Sequence, residues 1–366
     1  MKITSTEIYQ FSIPMVPFTI ATGTMDYAQN VLIRIHTDAG LTGTGECSAF
    51  PMIVGETQQT CIAVGKDLAG IIKGHDPLRF LDILEKFDNY IAGNATIKSA
   101  FDMALYDIAA QAAGLPLYAY LGGHLRQITT DITIGIDAPE KMAAQALHFK
   151  KSKASILKVK VGKEPQADIQ RIQAIRAAVG ADMKIRLDAN QGWNLQDAIT
   201  ALDGMKKQDI EFCEQPLRSY NDLQIKELKA QVQVPIMADE SCYHLRDVST
   251  CAEAGFDFIN IKLAKSGGIY NALQIADQAA ALSIPCMMGG MLESRVALTA
   301  MAHLVMAAEN IRYYDMDTCL LGQTKDPVCS GVQVEAYRLL LPQPERTGIG
   351  VDIDPLFLNK CQSWKV

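Results

Sequence analysis

From Thr130 onward the sequence alternates short apolar segments with longer segments of helical period. The helical segments include 165–179, 195–208, 268–282 and 294–308. The apolar segments are strand candidates at 130–136, 156–161, 184–190, 210–216, 234–241, 256–263, 284–291 and 311–317. Strict alternation favours a parallel sheet, and eight such units favour closure into a barrel. A doubly wound open sheet is the alternative, but it would carry a Gly-rich fingerprint after its first strand, which this sequence lacks.

The residues before and after this pattern read differently. Residues 2–50 alternate like strands, with a loop of small residues expected at Pro17–Tyr27, and residues 56–112 change to helical period. We therefore predict an α/β barrel of the modified TIM type, (β/α)7β, with an N-terminal α+β capping domain that the C-terminal segment completes. The expected boundaries are 1–125 for the cap, 126–325 for the barrel and 326–366 for the returning segment.

Five successive strand candidates each end in one charged residue. These residues are Lys160, Asp188, Glu214, Asp239 and Lys262, at intervals of 23 to 28 residues. The C-terminal ends of barrel strands meet at one rim, where barrel enzymes place their catalytic groups. Buried charges are costly unless they are paired or bound to metal. We therefore expect all five side chains in one active site.

The chemistry of this set points to a hard metal ion and to proton transfer. Three carboxylates on adjacent strands, from Asp188, Glu214 and Asp239, offer the oxygen ligands that Mg²⁺ prefers, whereas zinc would want His or Cys. Lys158 shares the face of Lys160 by the period of a strand. Lysines on both sides of the carboxylates suggest proton removal from one face of a substrate and delivery to the other, through an enediolate. Lys158 and the dication should lower the pKa of Lys160 toward ~7–8.

The strand ends KVK (158–160), DAN (188–190), EQP (214–216), DES (239–241) and KLAKSGG (262–268), with GTGE (43–46), resemble the enolase superfamily. The resemblance is to its muconate-lactonising-enzyme subgroup and covers residues 2–358. It implies that Lys160 and Lys262 are the acid/base pair, that Lys158 assists, and that Asp188, Glu214 and Asp239 bind Mg²⁺. The mandelate-racemase subgroup would place a His after the seventh strand, where this chain reads MMGGMLES. Enolase itself lacks the paired lysines and has a larger cap.

The eighth strand, IRYYDMDT, narrows the substrate. Period two puts Asp315 and Asp317 on one face with Tyr313. Dipeptide epimerases of the subgroup carry an Asp-x-Asp here that holds the ammonium group of a dipeptide, and Asp315, Met316 and Asp317 are similar to it. The resemblance thus implies Mg²⁺-dependent epimerisation of the C-terminal residue of a dipeptide.

Two cap segments, Phe18–Thr24 and Phe50–Gly55, should read the substrate side chain. Subgroup members that act on Ala-Glu carry a basic residue in the first segment, but no Lys or Arg occurs from Val16 to Val31. We therefore expect a hydrophobic C-terminal residue, as in Ala-Val. The residues expected to contact the substrate are Phe18, Ile20, Gly23, Ile53, Thr133 and Glu293. Arg295 could supply a positive charge instead, and Lys265 is expected to play a structural role near the site.

An N-acylamino acid racemase or an o-succinylbenzoate synthase would share the five strand-end residues, and a non-catalytic binding protein is a further alternative. The net charge of −7 without a basic cluster disfavours nucleic acid, and no apolar run reaches the ~18 residues of a membrane span. Nine cysteines without a Cys-x-x-Cys pair fit reduced thiols in the cytoplasm. The resemblance implies a homo-oligomer.

Overall fold

The computed structural model describes residues 1–323, 325–341 and 343–366. The chain begins with three antiparallel strands, β1 (Ile3–Ile20), β2 (Gly23–Thr37) and β3 (Thr42–Ala49). Five helices follow: α1 (Pro51–Val54), α2 (Gln58–Ile72), α3 (Phe80–Tyr90), α4 (Ala95–Ala112) and α5 (Leu117–Tyr120). The sheet packs on α4 so closely that a Cβ on Gly43 or Gly45 would lie 2.0 or 1.9 Å from a carbonyl oxygen of that helix. Glycine is therefore required at both positions of GTGE.

The predicted loop at Pro17–Tyr27 is wrong. β1 and β2 continue through it as a hairpin, with Phe18 opposite Met25 and Ile20 opposite Gly23. Only Ala21 and Thr22 form the turn. The pairing register shifts between Pro14 and Phe18. This interval contains Pro17, which has no N–H to donate to the ladder. Cross-strand pairing thus outweighs the weak strand propensity of the small residues.

The barrel is confirmed. After the short β4 (Ile128–Thr129), eight parallel strands neighbour one another in chain order. They are β5 (Ile132–Ile134), β6 (Ile156–Lys160), β7 (Lys184–Asp188), β8 (Ile210–Glu214), β9 (Ile236–Ala238), β10 (Phe258–Ile261), β11 (Cys286–Gly289) and β12 (Ile311–Asp315). The helices are α6 (Pro139–Lys151), α7 (Pro165–Val179), α8 (Leu195–Gly204), α9 (Ile225–Lys229), α10 (Leu245–Ala254), α11 (Leu263–Ser266), α12 (Ile269–Ala281) and α13 (Arg295–Ala307), with 3₁₀ turns at Ser219–Gln224 and Thr318–Leu320.

Between β5 and β12 the barrel closes through individual hydrogen bonds rather than a paired ladder. We call this junction the seam. The N–H of Asp131 donates to Tyr314 O at 3.2 Å, and Met316 N–H donates to Thr130 Oγ1 at 2.8 Å. Thr133 N–H donates to the Asp317 carboxylate at 2.7 Å. The residues of the predicted Asp-x-Asp therefore also close the barrel.

The C-terminal segment completes the cap, as predicted. β13 (Gln333–Glu335) and β14 (Arg338–Leu340) form a small sheet with β4, and α14 (Pro355–Leu358) follows. β15 (Gln362–Lys365) then pairs with the outer edge of β1, for example Trp364 with Ile8. All nine cysteines are free thiols. Among the described helices, none combines the length and the apolar character needed to cross a membrane.

Candidate active site

The five charged strand-end residues converge at the C-terminal rim of the barrel. Lys160, Asp188 and Glu214 end β6, β7 and β8 and are neighbours in the strand register. Asp239 and Lys262 directly follow β9 and β10. Lys160 Nζ lies 2.5 Å from Asp188 Oδ2, and Lys262 Nζ donates to Asp239 Oδ2 at 2.8 Å. Since β6 and β10 stand four strands apart in the eight-stranded barrel, the two lysines approach the carboxylates from opposite sides.

Lys158 lies below Lys160, one layer deeper in the barrel. Its Nζ is 3.0 Å from Asp188, 2.8 Å from Glu214 and 2.6 Å from Asp315, and its side chain is almost fully buried. Burial alone would lower the pKa of Lys158, but the charges of these carboxylates raise it well above its usual value. Lys158 is therefore a fixed positive charge that joins the three-carboxylate group to Asp315.

Lys262 is likewise held in its charged form. Burial would lower its pKa, but the carboxylates of Asp239 and Glu214 raise it above the usual value for lysine. In this arrangement Lys262 is a proton donor. To act as a base it needs a competing cation on the same carboxylates, which would weaken its hold on the proton.

The three carboxylates of Asp188, Glu214 and Asp239 fit a hard divalent cation. All three are fully buried, and neighbouring groups fix two of them: Asn260 Nδ2 donates to Glu214 Oε1 at 2.7 Å, and Asn190 N–H donates to Asp188 Oδ1 at 3.0 Å. Burial, followed by the charge of Asp188, raises the pKa of Glu214 to about 7. A carboxylate in that position gains from a further positive charge nearby.

Two carboxylate oxygens in this group retain lone pairs for a metal. Glu214 Oε2 and Asp239 Oδ1 are buried and accept no aligned hydrogen bond from the described residues. Lysine ammonium groups do lie near them, with Lys158 Nζ 2.8 Å from the first and Lys265 Nζ 2.6 Å from the second. These ammonium groups compensate the charge of the two oxygens, and each oxygen, which has two lone pairs, keeps one of them for a metal.

Lys265 anchors the turn that carries Asp239. Its Nζ donates to the backbone carbonyls of Asp239, Cys242 and Asn260, the last two at 3.0 and 3.1 Å, and it is almost fully buried. The structural role expected for Lys265 fits this position, since three carbonyls and one carboxylate surround its ammonium.

Asp315 and Asp317 face the cavity from the seam. Asp315 pairs with Lys158, and Asp317 accepts the backbone N–H of Thr133. Burial, followed by the charge of Asp315, raises the pKa of Asp317 to about 7. Met316, between them, points the other way: its side chain is buried in the hydrophobic core, as the period of a strand requires. Met316 therefore does not line the cavity.

The cavity above these groups has polar walls from the barrel and an apolar roof from the cap. Phe18 and Ile20 of the hairpin and Ile53 of α1 form part of the roof, and Thr133 lies at the wall. Phe50, the first residue of the second expected cap segment, also lines the cavity. The lining residues that the sequence pattern did not single out are Met25, Asn190, Gly290, Met291, Leu292, Thr318 and Leu321. The lining contributed by the cap carries no charged side chain among the described residues. An alternating pattern could have pointed to Met25, but not to the loop residues, whose placement depends on the fold.

Three further expected contacts lie outside the lining. Gly23 begins β2 beside Met52, whose Sδ would be 3.1 Å from an added Cβ. Glu293 turns back to accept the N–H of Met291 at 2.7 Å, so it shapes the loop 290–293 instead. Arg295 pairs with Asp326 at 2.5 Å and donates to carbonyls of the C-terminal segment. Its guanidinium is therefore not available to a substrate.

A lysine-flanked group of buried carboxylates at the rim of a capped barrel defines an enzyme site built for proton transfer next to a carboxylate. Two family models match the chain: "Mandelate racemase / muconate lactonizing enzyme, N-terminal domain" over residues 3–122 and "Enolase C-terminal domain-like" over residues 141–356. The chain therefore belongs to the enolase superfamily, in its muconate-lactonising-enzyme subgroup.

Within this family the chain is similar to named epimerases. The D-Ala-D/L-Ala epimerase of Cytophaga hutchinsonii is 42% identical over 98% of both chains. The hydrophobic dipeptide epimerase of Enterococcus faecalis is 41% identical over 91% of this chain and 94% of its own. The crystal structure of the Cytophaga hutchinsonii dipeptide epimerase with Mg and D-Ala-L-Val superposes with a TM-score of 0.97 at 40% identity, covering 100% of both chains.

Proposed function

We propose that this chain is a Mg²⁺-dependent dipeptide epimerase that inverts the α-carbon of the C-terminal residue of its substrate. The observation that carries the proposal is the arrangement of Lys160 and Lys262 on opposite sides of three buried carboxylates, next to the buried pair Asp315 and Asp317. The named activities of the similar proteins, and the Mg and dipeptide in the Cytophaga hutchinsonii structure, support it.

Each residue has a role in this reaction. Asp188, Glu214 and Asp239 would hold Mg²⁺, which supplies positive charge against the negative charge that grows on the substrate carboxylate as its α-proton leaves. One lysine takes the α-proton from one face, and the other returns a proton to the opposite face. Asp315 and Asp317 receive the substrate ammonium, and Lys158 keeps the adjoining carboxylates neutralised. A positioned base of this kind contributes roughly 10²–10⁴ to the rate.

The substrate side chain at the inverted carbon is proposed to be hydrophobic. Among the described residues, the cap roof offers Phe18, Ile20 and Ile53 and no cation, and Arg295 is held by Asp326. A glutamate side chain buried there would lose its hydration without gaining a partner. Valine, leucine or phenylalanine would instead gain from burial.

A panel of dipeptides tests the proposal. The protein is incubated with Mg²⁺ in D₂O, and ¹H NMR follows exchange at the α-carbon and formation of the second diastereomer. We expect Ala-Val, Ala-Leu or Ala-Phe to exchange at the C-terminal residue with a higher kcat/KM than Ala-Glu. Faster exchange of N-succinyl-valine than of Ala-Val would identify an N-acylamino acid racemase instead. No exchange of any of these compounds would favour a binding protein.

We also propose that the chain works as a homo-oligomer in the cytoplasm. The nine free thiols support a reducing compartment. Light scattering coupled to size-exclusion chromatography tests the oligomer, and a mass near the 40.0 kDa of a single chain would contradict it.

A further inference from the structure

We propose that Asp131 is a third carboxylate of the ammonium subsite, a positioning residue that strengthens cation binding by Asp315 and Asp317. One carboxylate oxygen from each of these three residues lies within 4.8 Å of the other two. Asp131 directly precedes β5, Asp315 ends β12 and Asp317 follows it by two residues, so the three carboxylates meet across the seam. The inference rests on the proposed function, because the cation in question is the free ammonium of a peptide.

Asp131 is only half compensated by its neighbours. It is fully buried, and its Oδ2 accepts a hydrogen bond from Arg186 Nη1 at 2.8 Å. Its Oδ1 is also buried and accepts no hydrogen bond from the described residues. Arg186 divides its charge, since its Nε donates to Glu211 at 2.7 Å. A buried carboxylate oxygen without a partner is costly unless a cation nearby compensates it.

The cations at the seam are too few for its carboxylates. The described cations in direct contact with these three carboxylates are the ammonium of Lys158 and the guanidinium of Arg186, while the ammonium groups of Lys160 and Lys262 act on Asp315 from farther away. Lys158 also serves Asp188 and Glu214, and Arg186 also serves Glu211. Excess negative charge in a buried place attracts a positive ligand more strongly than a single exposed carboxylate would.

The geometry separates direct contact from support. Asp315 and Asp317 line the cavity together with Thr133, whereas Asp131 lies behind them and outside the lining. An ammonium that enters the cavity therefore touches Asp315 and Asp317, and Asp131 acts on it through space. A divalent metal fits this place less well, because Lys158 already lies 2.6 Å from Asp315 and Thr133 N–H already donates to Asp317.

The test compares a free dipeptide with its N-acetylated form, whose amino end is neutral and carries an added acetyl group. L-Ala-L-Val and N-acetyl-L-Ala-L-Val are titrated calorimetrically, with Mg²⁺, into the wild type and into Asp131→Asn. Asparagine keeps the shape and one acceptor for Arg186 but removes the charge. We expect the Kd of the free dipeptide to rise about tenfold or more, with a matching rise in KM, while the Kd of the acetylated form stays the same.

Controls separate this role from a structural one. Asp107→Asn changes another buried carboxylate, in the cap, which accepts the N–H groups of Thr44 and Ile349. It should leave unchanged the ratio of the Kd of the acetylated form to the Kd of the free dipeptide. If Asp131→Asn does not fold, Arg186→Gln tests the same field with the opposite sign: it removes the cation that compensates Asp131, so the ratio of the Kd of the acetylated form to the Kd of the free dipeptide is expected to rise. Equal changes for both ligands, or no change, would overturn the inference.

The outcomes also distinguish this inference from the proposed function. Suppose that the wild type binds the free dipeptide more tightly than the acetylated form, that Asp131→Asn does not, and that the wild type exchanges no α-proton. This result would support the role of Asp131 and overturn the proposed epimerase activity. If the wild type exchanges the α-proton of Ala-Val but binds both ligands equally, the epimerase activity would be supported and the role of Asp131 would be overturned. A wild type without exchange or preference would overturn both.

Discussion

The three lysines of the site differ in what surrounds them. Lys158 contacts three carboxylates, whereas Lys160 and Lys262 each reach one carboxylate that the metal group would share. Strand period predicts that Lys158 and Lys160 share a face, and they do. The strand period does not predict how deep each side chain lies in the barrel. Because Lys158 lies deeper, among three carboxylates, it stays charged, and the proton transfer falls to the other two lysines.

Replacing one lysine base at a time should largely abolish epimerisation but leave α-proton exchange of one configuration. In Lys160→Ala or Lys262→Ala, epimerisation should fall by about 10²-fold or more, because no lysine remains on one face. The lysine that is left can still exchange the α-proton of one configuration with D₂O. We expect the two variants to exchange opposite configurations of the C-terminal residue, measured by NMR on separate diastereomers.

Lys184→Ala provides a control for general loss of charge. Lys184 begins β7 and is exposed, with Glu211 as its partner at 3.0 Å. Its replacement should change neither the rate of epimerisation nor the rate of α-proton exchange. If Lys160→Ala and Lys262→Ala exchanged the same configuration equally well, the roles given to the two lysines would be wrong.

At the level of secondary-structure elements, two carboxylates of the cap hold it against the barrel by accepting hydrogen bonds from N–H groups at helix N-termini. Glu46, at the end of GTGE in β3, accepts the N–H groups of Ser294 and Ala297 at the start of α13. Asp102 of α4 accepts the N–H of Ile269 at the start of α12, at 2.5 Å. Free N–H groups and the helix dipole favour negative charge at these ends. Both helices follow segments of the active site, so cap docking also positions the site.

Asp102 should make stability depend on pH. Burial raises its pKa to about 7, against the lowering effect of the hydrogen bonds from Ile269 and Tyr270. The folded state therefore binds a proton that the unfolded state releases above about pH 4. The contribution of this proton to stability is complete below about pH 4 and is lost as the pH rises through about 7.

Asp102→Asn removes this titration and keeps an oxygen for Ile269. Relative to the wild type, the free energy of unfolding of Asp102→Asn should rise between pH 4 and pH 8 by at most about 4 kcal/mol. Urea denaturation across that pH range measures it. Asp82→Asn, on an exposed part of the same domain, serves as the control. A difference between variant and wild type that stays constant with pH would contradict the prediction.

The sequence predicts elements better where a single periodicity acts over a whole segment. The helix expected at 165–179 is α7 (Pro165–Val179), and all eight barrel strands lie within their expected segments. The hairpin at Phe18–Met25 was missed because its strands are held by partners rather than by their own propensity. The buried ties of Glu46 and Asp102 were equally out of reach, since each joins residues more than 150 positions apart.

Across the whole molecule, the proposed function assigns different parts of the chain to different parts of the substrate. The rim of the barrel would hold the carboxylate and the α-carbon, the seam would hold the ammonium, and the cap would cover the side chain. The rim residues could be predicted because each ends an apolar strand at a regular interval. Asp131 and Arg186 could not, because their pairing depends on how β5 and β7 pack in three dimensions.

A basic residue in the hairpin should redirect the preference of the cap. In Gly23→Arg the added Cβ meets only the movable end of Met52, with Sδ at 3.1 Å and Cε at 3.5 Å. A guanidinium beside the cavity can pair with a glutamate carboxylate. We expect the ratio of kcat/KM for Ala-Glu to that for Ala-Val to rise about tenfold, measured by deuterium exchange.

Gly23→Met is the matched control, since it adds similar length without charge. It should leave the preference for Ala-Val in place. If Gly23→Met and Gly23→Arg changed the ratio alike, crowding of the hairpin would explain the result, and the absence of a cation would not be what sets the preference.

The position of the hairpin and α1 also affects how such an enzyme can diversify. Phe18, Ile20 and Ile53 all precede the barrel in the chain, and none belongs to a barrel strand. Mutations that alter the accepted side chain can therefore accumulate early in the gene while the codons for the proton-transfer residues stay unchanged. Changes of side-chain preference at these three positions would therefore leave the residues proposed for proton transfer untouched.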